Sequence, residues 1–363
     1  MVNKKTIIGL AIVASVSVMA VGLQKFISTP SGSAILPRCS SVEMVTNTPN
    51  DDLDPHWSPD GKQIAFVGHH EGNPEVYMMD VATRALTNLS HSKYDDYNPI
   101  WSPDGRYIAY FHRQKPNSKD AIQLRVIEVA TGYIRAVTPD YIPIYAMDVH
   151  WSPDSKQLQF ISYPDWFSYD PVTRHLHNEG EVVQTKAPIL GVQSRDGQVA
   201  TVANSTTSDG LPMKLLLAGN PSSQPRELLQ LNIGFTPASW SPTRDQLAFY
   251  SYAGVYVLDI PTGNYRDFIQ GLGKIMTVHW SPDGNYVSAL FGTASARKVA
   301  VADIRSGSIC GYGSDNLPHR YIQQPIRYNY IYSDPEWSPT GDQVVFSSGF
   351  NGNANLVLLT MPD

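Results

Sequence analysis

Acidic and histidine side chains recur one and three positions before a repeated tryptophan. One position before it stand His56, His150, His279 and Glu336, and three positions before it stand Asp54, Asp148 and Asp334. An imidazole beside a carboxylate can transfer a proton or hold a polar ligand, and the same groups bind cations. The alternative is architectural, because aspartate before proline orders a loop and histidine packs against a neighbouring unit. A shared site requires a fold that brings these positions together.

The tryptophan belongs to a Trp-Ser-Pro motif that occurs six times. In the clearest copies Asp-Gly and a short apolar run follow it. Proline presets the first corner of such a turn, and glycine accepts the positive φ at its end. A further unit keeps the Asp-Gly turn but has lost the tryptophan and the proline, so the units follow one another every 40 to 57 residues. That period, made of short strands, predicts propeller blades. The seven units lie around Trp57, Trp101, Trp151, Gln193, Trp240, Trp280 and Trp337.

These units predict an all-β, seven-bladed β-propeller of four-stranded antiparallel blades over residues 42–363. The last unit has no outer strand of its own, whereas residues 42–47 resemble one. We therefore expect the N-terminal strand to pair in the last blade, which closes the ring and leaves no long unpaired sheet edge. Hydrophobic residues are 42% and charged residues 17% of the chain. No helical period follows residue 30, so the sequence does not predict an α/β catalytic domain.

The N-terminal residues 1–23 have the pattern of a targeting segment. Lys4 and Lys5 precede eighteen uncharged, mostly apolar residues, 6–23. A signal peptide and an uncleaved membrane anchor both fit this length, because a bilayer takes about 20 apolar residues and a signal core about 7–15. Either one exports the rest of the chain. We expect residues 24–41 to be a Ser/Pro/Gly linker and the protein to be extracytoplasmic, in the periplasm or at the cell surface.

Charge and cysteine content agree with export. The formal net charge is −6, and without Lys4 and Lys5 it becomes −8 (−6 − 2). No basic stripe is present, which argues against nucleic acid as a partner. Cys39 and Cys310 suit an oxidising compartment. A disulfide that ties the N-terminal segment to the preceding blade and a pair of free thiols both remain open.

The repeat D-x-x-P-x-W-S-P-D-G-x-x-I-A-F resembles the TolB-type β-propeller repeat, a relative of WD-type repeats. The resemblance covers essentially all of residues 42–363. This family includes the periplasmic TolB component of the Tol–Pal system and propeller domains of prolyl-oligopeptidase-like peptidases. TolB has six blades behind a small α/β domain, whereas seven units are present here. The resemblance therefore implies a propeller fold, export and a tendency to bind partners. We transfer neither the Tol–Pal role nor peptidase activity to this chain.

No familiar catalytic motif accompanies the repeats. The sequence contains no G-x-S-x-G elbow, no H-E-x-x-H, no P-loop and no C-x-x-C pair. We expect a monomeric, non-catalytic scaffold without a cofactor that binds a protein, peptide or envelope ligand. The competing hypothesis is a lyase or hydrolase with a His/acid site at the channel mouth.

A tyrosine- and arginine-rich stretch in the longest unit is a second candidate surface. Tyrosine and arginine are enriched at interface hot spots. The alternative is an outer strand with a long loop, which is aromatic because strands favour aromatic residues. The candidate residues are Tyr321, Arg327, Tyr328, Tyr330 and Tyr332.

Overall fold

A computed structural model describes residues 39–362 of the chain, except 114–121, 140–148, 163–164, 182–190, 194–198, 204–212, 219–225, 232–234, 253, 271–273, 294–295, 313–332 and 351–352. These residues form 28 strands and no helix. No helix able to span a bilayer is therefore found among them, and residues 6–23 lie outside the described range. The strands assemble into seven four-stranded antiparallel sheets, which confirms the seven-bladed propeller.

The first strand of each blade is an edge strand, and in blades 1 to 6 the next three follow it outward in chain order, whereas in blade 7 two strands follow and β1 is the outer strand. Strand β1 (Ser41–Met44) precedes blade 1. Blade 1 contains β2 (Asp52–Trp57), β3 (Gln63–Gly68), β4 (Glu75–Asp80) and β5 (Leu86–Asn88). Blade 2 contains β6 (Asp95–Trp101), β7 (Tyr107–Arg113), β8 (Ile122–Glu128) and β9 (Tyr133–Ala136). Blade 3 contains β10 (Val149–Trp151), β11 (Leu158–Ser162), β12 (Asp165–Asp170) and β13 (His175–Glu181).

The remaining blades repeat this order. Blade 4 contains β14 (Gly191–Gln193), β15 (Val199–Ala203), β16 (Met213–Ala218) and β17 (Arg226–Leu231). Blade 5 contains β18 (Phe235–Trp240), β19 (Gln246–Ser251), β20 (Gly254–Asp259) and β21 (Tyr265–Gln270). Blade 6 contains β22 (Ile275–Trp280), β23 (Tyr286–Thr293), β24 (Ala296–Asp303) and β25 (Ile309–Tyr312). Blade 7 contains β26 (Glu336–Trp337), β27 (Gln343–Phe350) and β28 (Asn353–Thr360).

The Ser-Pro-Asp-Gly turn of blade 1 is held by its own polar side chains. Ser58 Oγ donates to Asp60 Oδ1 at 2.7 Å and accepts from the backbone N–H of Gln63 at 2.9 Å. Gly61 has a φ of 70°, which glycine adopts without a steric cost. The hydrogen bond from Ser58 holds the pKa of Asp60 below its usual value. Short-range chemistry thus directs the chain reversal between β2 and β3.

Consecutive blades are joined by indole hydrogen bonds and apolar clusters. A motif tryptophan donates its indole N–H to the backbone carbonyl just before the tryptophan of the preceding blade. This contact joins Trp57 to Glu336, Trp101 to His56, Trp151 to Ile100 and Trp280 to Ser239 at 3.0–3.3 Å. In each case the acceptor is the carbonyl of the residue that precedes the motif tryptophan of the preceding blade. The first strands of these blades therefore keep a common register around the channel.

The ring closes where the N-terminal strand meets the last strand of the chain. β1 runs antiparallel to β28, with Val42 opposite Leu359, as the sequence predicts. A disulfide joins Cys39, just before β1, to Cys310 on β25, with 4.9 Å between the Cα atoms. The outer strand of blade 7 is thereby bonded covalently to the outer strand of blade 6. The closure therefore combines a strand pairing with a covalent cross-link.

Candidate functional site

A cavity of about 540 Å³ opens where the first strands of blades 6, 7, 1 and 2 approach the channel. We call this site the channel mouth. Of the seven residues that the sequence predicts for it, five line the cavity. They are Asp54, His56, His279, Asp334 and Glu336. Asn98, Ser333, the two prolines Pro55 and Pro335, and the tryptophans Trp280 and Trp337 complete the lining.

A β-bulge presents Asp54 and Asn98 to the channel mouth. Both residues stand three positions before a motif tryptophan, and their φ angles are 48° and 55°. The strand register shifts at these points in β2 and β6. Asp and Asn tolerate positive φ better than other non-glycine residues, and bulges commonly re-aim a side chain. Sequence reasoning omitted Asn98 from the site, although its repeat position would have identified it.

His56 and Glu336 form the central ion pair of the channel mouth. His56 Nδ1 lies 2.7 Å from Glu336 Oε2, and the two side chains are 35% and 34% exposed. The Trp57 amide donates to the other carboxylate oxygen at 3.0 Å. Burial lowers the pKa of His56, but the hydrogen bond and charge of Glu336, with help from Asp54, outweigh it and raise that pKa above 6.5. Glu336 therefore links blade 7 to blade 1 and fixes the imidazole.

His279 titrates in the opposite direction. Burial lowers its pKa below 6.5, and the nearby charges of Asp334 and Glu336 offset this only in part. Its Nε2 atom is buried with no hydrogen-bond partner within the described part of the chain. The backbone carbonyl of His279 accepts from Ser288 Oγ at 3.3 Å, and Ser288 in turn accepts the Trp337 indole N–H at 3.0 Å. Ser288, which sequence reasoning missed, thus mediates the junction between blades 6 and 7.

The electrostatics of the channel mouth favour a cationic ligand. The described residues of its lining include three carboxylates and no lysine or arginine. Asp54 still reaches solvent, yet loss of surrounding water raises its pKa, and the charge of His56 opposes that effect. The described residues contain no group of three or more His, Cys, Asp or Glu side chains placed to share a metal ion. The arrangement suits an ammonium or guanidinium group better than a coordinated metal.

Other predicted residues lie elsewhere or outside the described range. His150 is exposed on β10, where its Nε2 lies 3.0 Å from Gln159 Oε1, and it does not line the cavity. Asp148 falls outside the described residues, and so does the whole tyrosine- and arginine-rich surface: Tyr321, Arg327, Tyr328, Tyr330 and Tyr332.

Comparison with known proteins identifies the repeat. Residues 37–179 match the family model of the TolB beta propeller domain. The matched residues carry TolB-type β-propeller repeats. The Tol-Pal system protein TolB of Xanthomonas oryzae is 52% identical over 33 residues, and that of Xanthomonas campestris is 48% identical over 33 residues. These matches span 9% of this chain and only 8% of each relative's length.

Solved structures share the fold of this seven-bladed propeller. An oligogalacturonate lyase from Vibrio parahaemolyticus superimposes with a TM-score of 0.55 at 15% identity, covering 91% of this chain and 97% of the lyase. The β-propeller domain of the Trilobed protease from Pyrococcus furiosus gives a TM-score of 0.50 at 12% identity, covering 85% and 95%. At such identities the likeness shows a common fold and carries no function across.

Proposed function

We propose that this TolB-type propeller is an exported, membrane-tethered scaffold that binds a protein or peptide of the cell envelope without catalysing a reaction. The observation that carries the proposal is the acidic channel mouth on a closed, cross-linked ring. A rigid ring holds Asp54, Asp334 and Glu336 in place before the ligand arrives, which reduces the entropy cost of binding. The recognised group is a lysine or arginine side chain or an N-terminal amine.

Export is supported by the disulfide. Cytosolic thiols are kept reduced, whereas structural disulfides persist in oxidising compartments. The Cys39–Cys310 bond joins the segment that leads into β1 to the ring. The apolar residues 6–23 precede that segment and supply the proposed signal or anchor. Mass spectrometry of the protein isolated from the envelope tests this step, because cytosolic location with two alkylatable thiols would contradict it.

The ligand test uses charged and neutral forms of one peptide. Calorimetry compares acetyl-Gly-Lys-Gly-Lys-Gly-amide with the same peptide carrying acetylated lysines. We expect saturable binding of the first and at least a tenfold loss on acetylation, since each ammonium–carboxylate contact contributes about 1 kcal/mol or more in a partly exposed site. Binding should also decrease with ionic strength.

Two matched variants locate that binding. Asp54→Asn with Asp334→Asn removes two charges from the channel mouth and should weaken the lysine peptide at least tenfold. Asp245→Asn removes an exposed carboxylate from the turn after Trp240 and should leave affinity unchanged. Equal affinity for both peptide forms, or an equal loss in the control variant, would refute the cationic ligand.

The second candidate function is a lyase with a His/acid site, favoured by the oriented His56–Glu336 pair. A histidine fixed by a carboxylate can act as a general base. The acidic lining argues against an oligogalacturonate as its substrate, because each sugar of such a substrate carries a carboxylate that the channel mouth would repel. Ultraviolet absorbance of the unsaturated product, formed by the full chain and lost in His56→Ala, would favour the lyase over the scaffold.

A further inference from the structure

Blade 3 carries three side chains that depart from the repeat on one face of its sheet. Gln159 on β11 is paired with Ser168 on β12, and Ile161 is paired with Trp166. Paired residues, and residues two positions apart, point to the same side of a sheet. Gln159, Trp166 and Ser168 therefore share one face, and Glu179 on β13 joins them by accepting a hydrogen bond from Ser168.

The corresponding residues of the other six blades are buried. They are compared through strand pairing, starting from the residue opposite the motif tryptophan, or opposite Gln193 in blade 4. At the Gln159 position stand Ala65, Ala109, Ala200, Ala248, Ser288 and Val345, all with no exposed surface. At the Trp166 position stand Val76, Leu124, Leu215, Val255, Val299 and Leu356, also fully buried. Blade 3 is thus polar where the repeat is apolar.

Those buried positions build the junction with the next blade. Apolar clusters join blades 1 and 2, 2 and 3, 4 and 5, 5 and 6, 6 and 7, and 7 and 1. No such cluster joins blade 3 to blade 4 among the described residues. The opposite face of blade 3 is well packed, with Leu158, Phe160 and Tyr169 buried against blade 2. The polar face is therefore a local feature of an ordinary blade.

A cavity of about 510 Å³ occupies this face. Its volume lies within the range of small-molecule sites, about 300–1,000 Å³. We call it the blade 3 cleft. It is lined by Gln157, Gln159, Trp166, Phe167, Ser168 and Glu179.

We propose that the blade 3 cleft binds a neutral sugar unit of an oligosaccharide. A sugar ring presents an apolar C–H face and hydroxyl groups that both donate and accept hydrogen bonds. Trp166 offers a flat apolar surface with one N–H donor, and the amides of Gln157 and Gln159 each offer donors and acceptors. Among the described residues the lining contains one carboxylate and no lysine or arginine, so these residues offer a phosphate or polyanion no counter-charge.

The polar groups of the cleft are held in position by one another. His150 Nε2 lies 3.0 Å from Gln159 Oε1, and the His150 ring meets Trp166 edge-on with 6.0 Å between ring centroids. Ser168 is held by Glu179. An unpaired amide in an apolar blade junction would cost free energy, whereas here the Gln159 amide oxygen has His150 as a hydrogen-bond partner. Such pre-orientation suits a ligand rich in hydroxyl groups.

Calorimetry with three tetrasaccharides tests the proposal on the full chain: maltotetraose, cellotetraose and tetra-N-acetylchitotetraose. We expect saturable binding of at least one, and the preferred one distinguishes a plain glucan from an N-acetylated glycan. Gln159→Ala, which restores the residue of blades 1, 2, 4 and 5, should fold normally and weaken binding at least tenfold. Trp166→Val, which restores the residue of blade 1, should do the same.

A matched pair of variants separates the cleft from a general surface effect. Gln157 and Gln63 occupy the same repeat position, but only Gln157 lines the cleft. Gln157→Leu should weaken sugar binding about tenfold, and Gln63→Leu should not. Absence of saturable binding to all three sugars, or full affinity in Gln159→Ala, overturns the proposal. Binding of the lysine peptide should be unaffected by these variants, so failure here is distinguishable from failure at the channel mouth.

Discussion

Removing the Cys39–Cys310 disulfide should lower the free energy of unfolding by about 4 kcal/mol. The bond spans 271 residues of sequence. In the chain-entropy model, a loop of that length corresponds to about 19 cal/mol/K, or about 5 to 6 kcal/mol at 25 °C. Measured contributions are more often about 2–4 kcal/mol. An unfolded chain that is already compact loses less entropy on cross-linking, so the model value is an upper limit.

The double variant Cys39→Ser with Cys310→Ser measures this contribution. Unfolding entropy of about 2.1 cal/mol/K per residue gives about 0.7 kcal/mol/K for the folded part of the chain, so the melting temperature should fall by about 6 °C. Urea unfolding followed by tryptophan fluorescence gives the free energy directly. Wild-type protein unfolded in a phosphine reductant provides the control and should match the double variant.

Single cysteine substitutions test whether the loss of stability comes from the disulfide bond itself. Cys39→Ser and Cys310→Ser each break the same bond, so each should cost nearly as much as the double variant, and their effects should not add. A loss below 1 kcal/mol in the double variant would refute the closure argument. It would mean that β1 and β28 alone restrain the chain ends, or that the unfolded chain keeps them together.

Three further predictions concern the channel mouth, the blade 3 cleft and a blade junction. Because the pKa of His56 is raised, the His56–Glu336 ion pair contributes its full stability below pH 6.5, and this contribution is lost as the pH rises through the raised pKa. The affinity for the lysine peptide should increase over the same pH range as His56 loses its positive charge. Calorimetry of His56→Gln should show an affinity that depends less on pH. Gln159→Ala with Ser168→Val should change the free energy of unfolding by no more than about 0.5 kcal/mol if the blade 3 cleft is open, and a gain above 1.5 kcal/mol would show that the junction collapses instead. Ser288→Ala should cost about 1–3 kcal/mol in urea unfolding because it leaves a buried indole N–H unpaired, whereas Ser347→Ala, whose buried hydroxyl has no partner within the described residues, should be near neutral.

Blade number and ring closure could be predicted because both follow from comparing the repeat units with one another. The Ser-Pro-Asp-Gly turn carries its own hydrogen bonds, as the Ser58–Asp60 contact shows. A turn of this kind between two apolar runs identifies a hairpin before any tertiary contact is known. The match of residues 42–47 to an outer strand then follows from comparing units, and the pairing of β1 with β28 confirms it.

Which residues line the channel mouth could be predicted only in part. Asp54 and His279 are brought together because their blades are close around the ring, and that neighbourhood follows from the order of the units. His150 occupies the same repeat position as His56 but belongs to blade 3, where it lies against Gln159 instead. A repeat position indicates which end of the channel a side chain approaches. It does not say which blades share one cavity.

The two proposed sites use the repeat in opposite ways. The channel mouth is formed by positions that every blade possesses, and its chemistry arises because the bulge and the ion pair place carboxylates on neighbouring first strands. The blade 3 cleft arises where the repeat is broken, since Gln159 and Ser168 replace residues that elsewhere seal a junction. Apolar clusters of the described residues seal the other six junctions, and a disulfide across blades 6 and 7 reinforces the ring far from blade 3. A strongly closed ring can therefore tolerate one polar blade face, which is the structural condition for a ligand to bind in the blade 3 cleft.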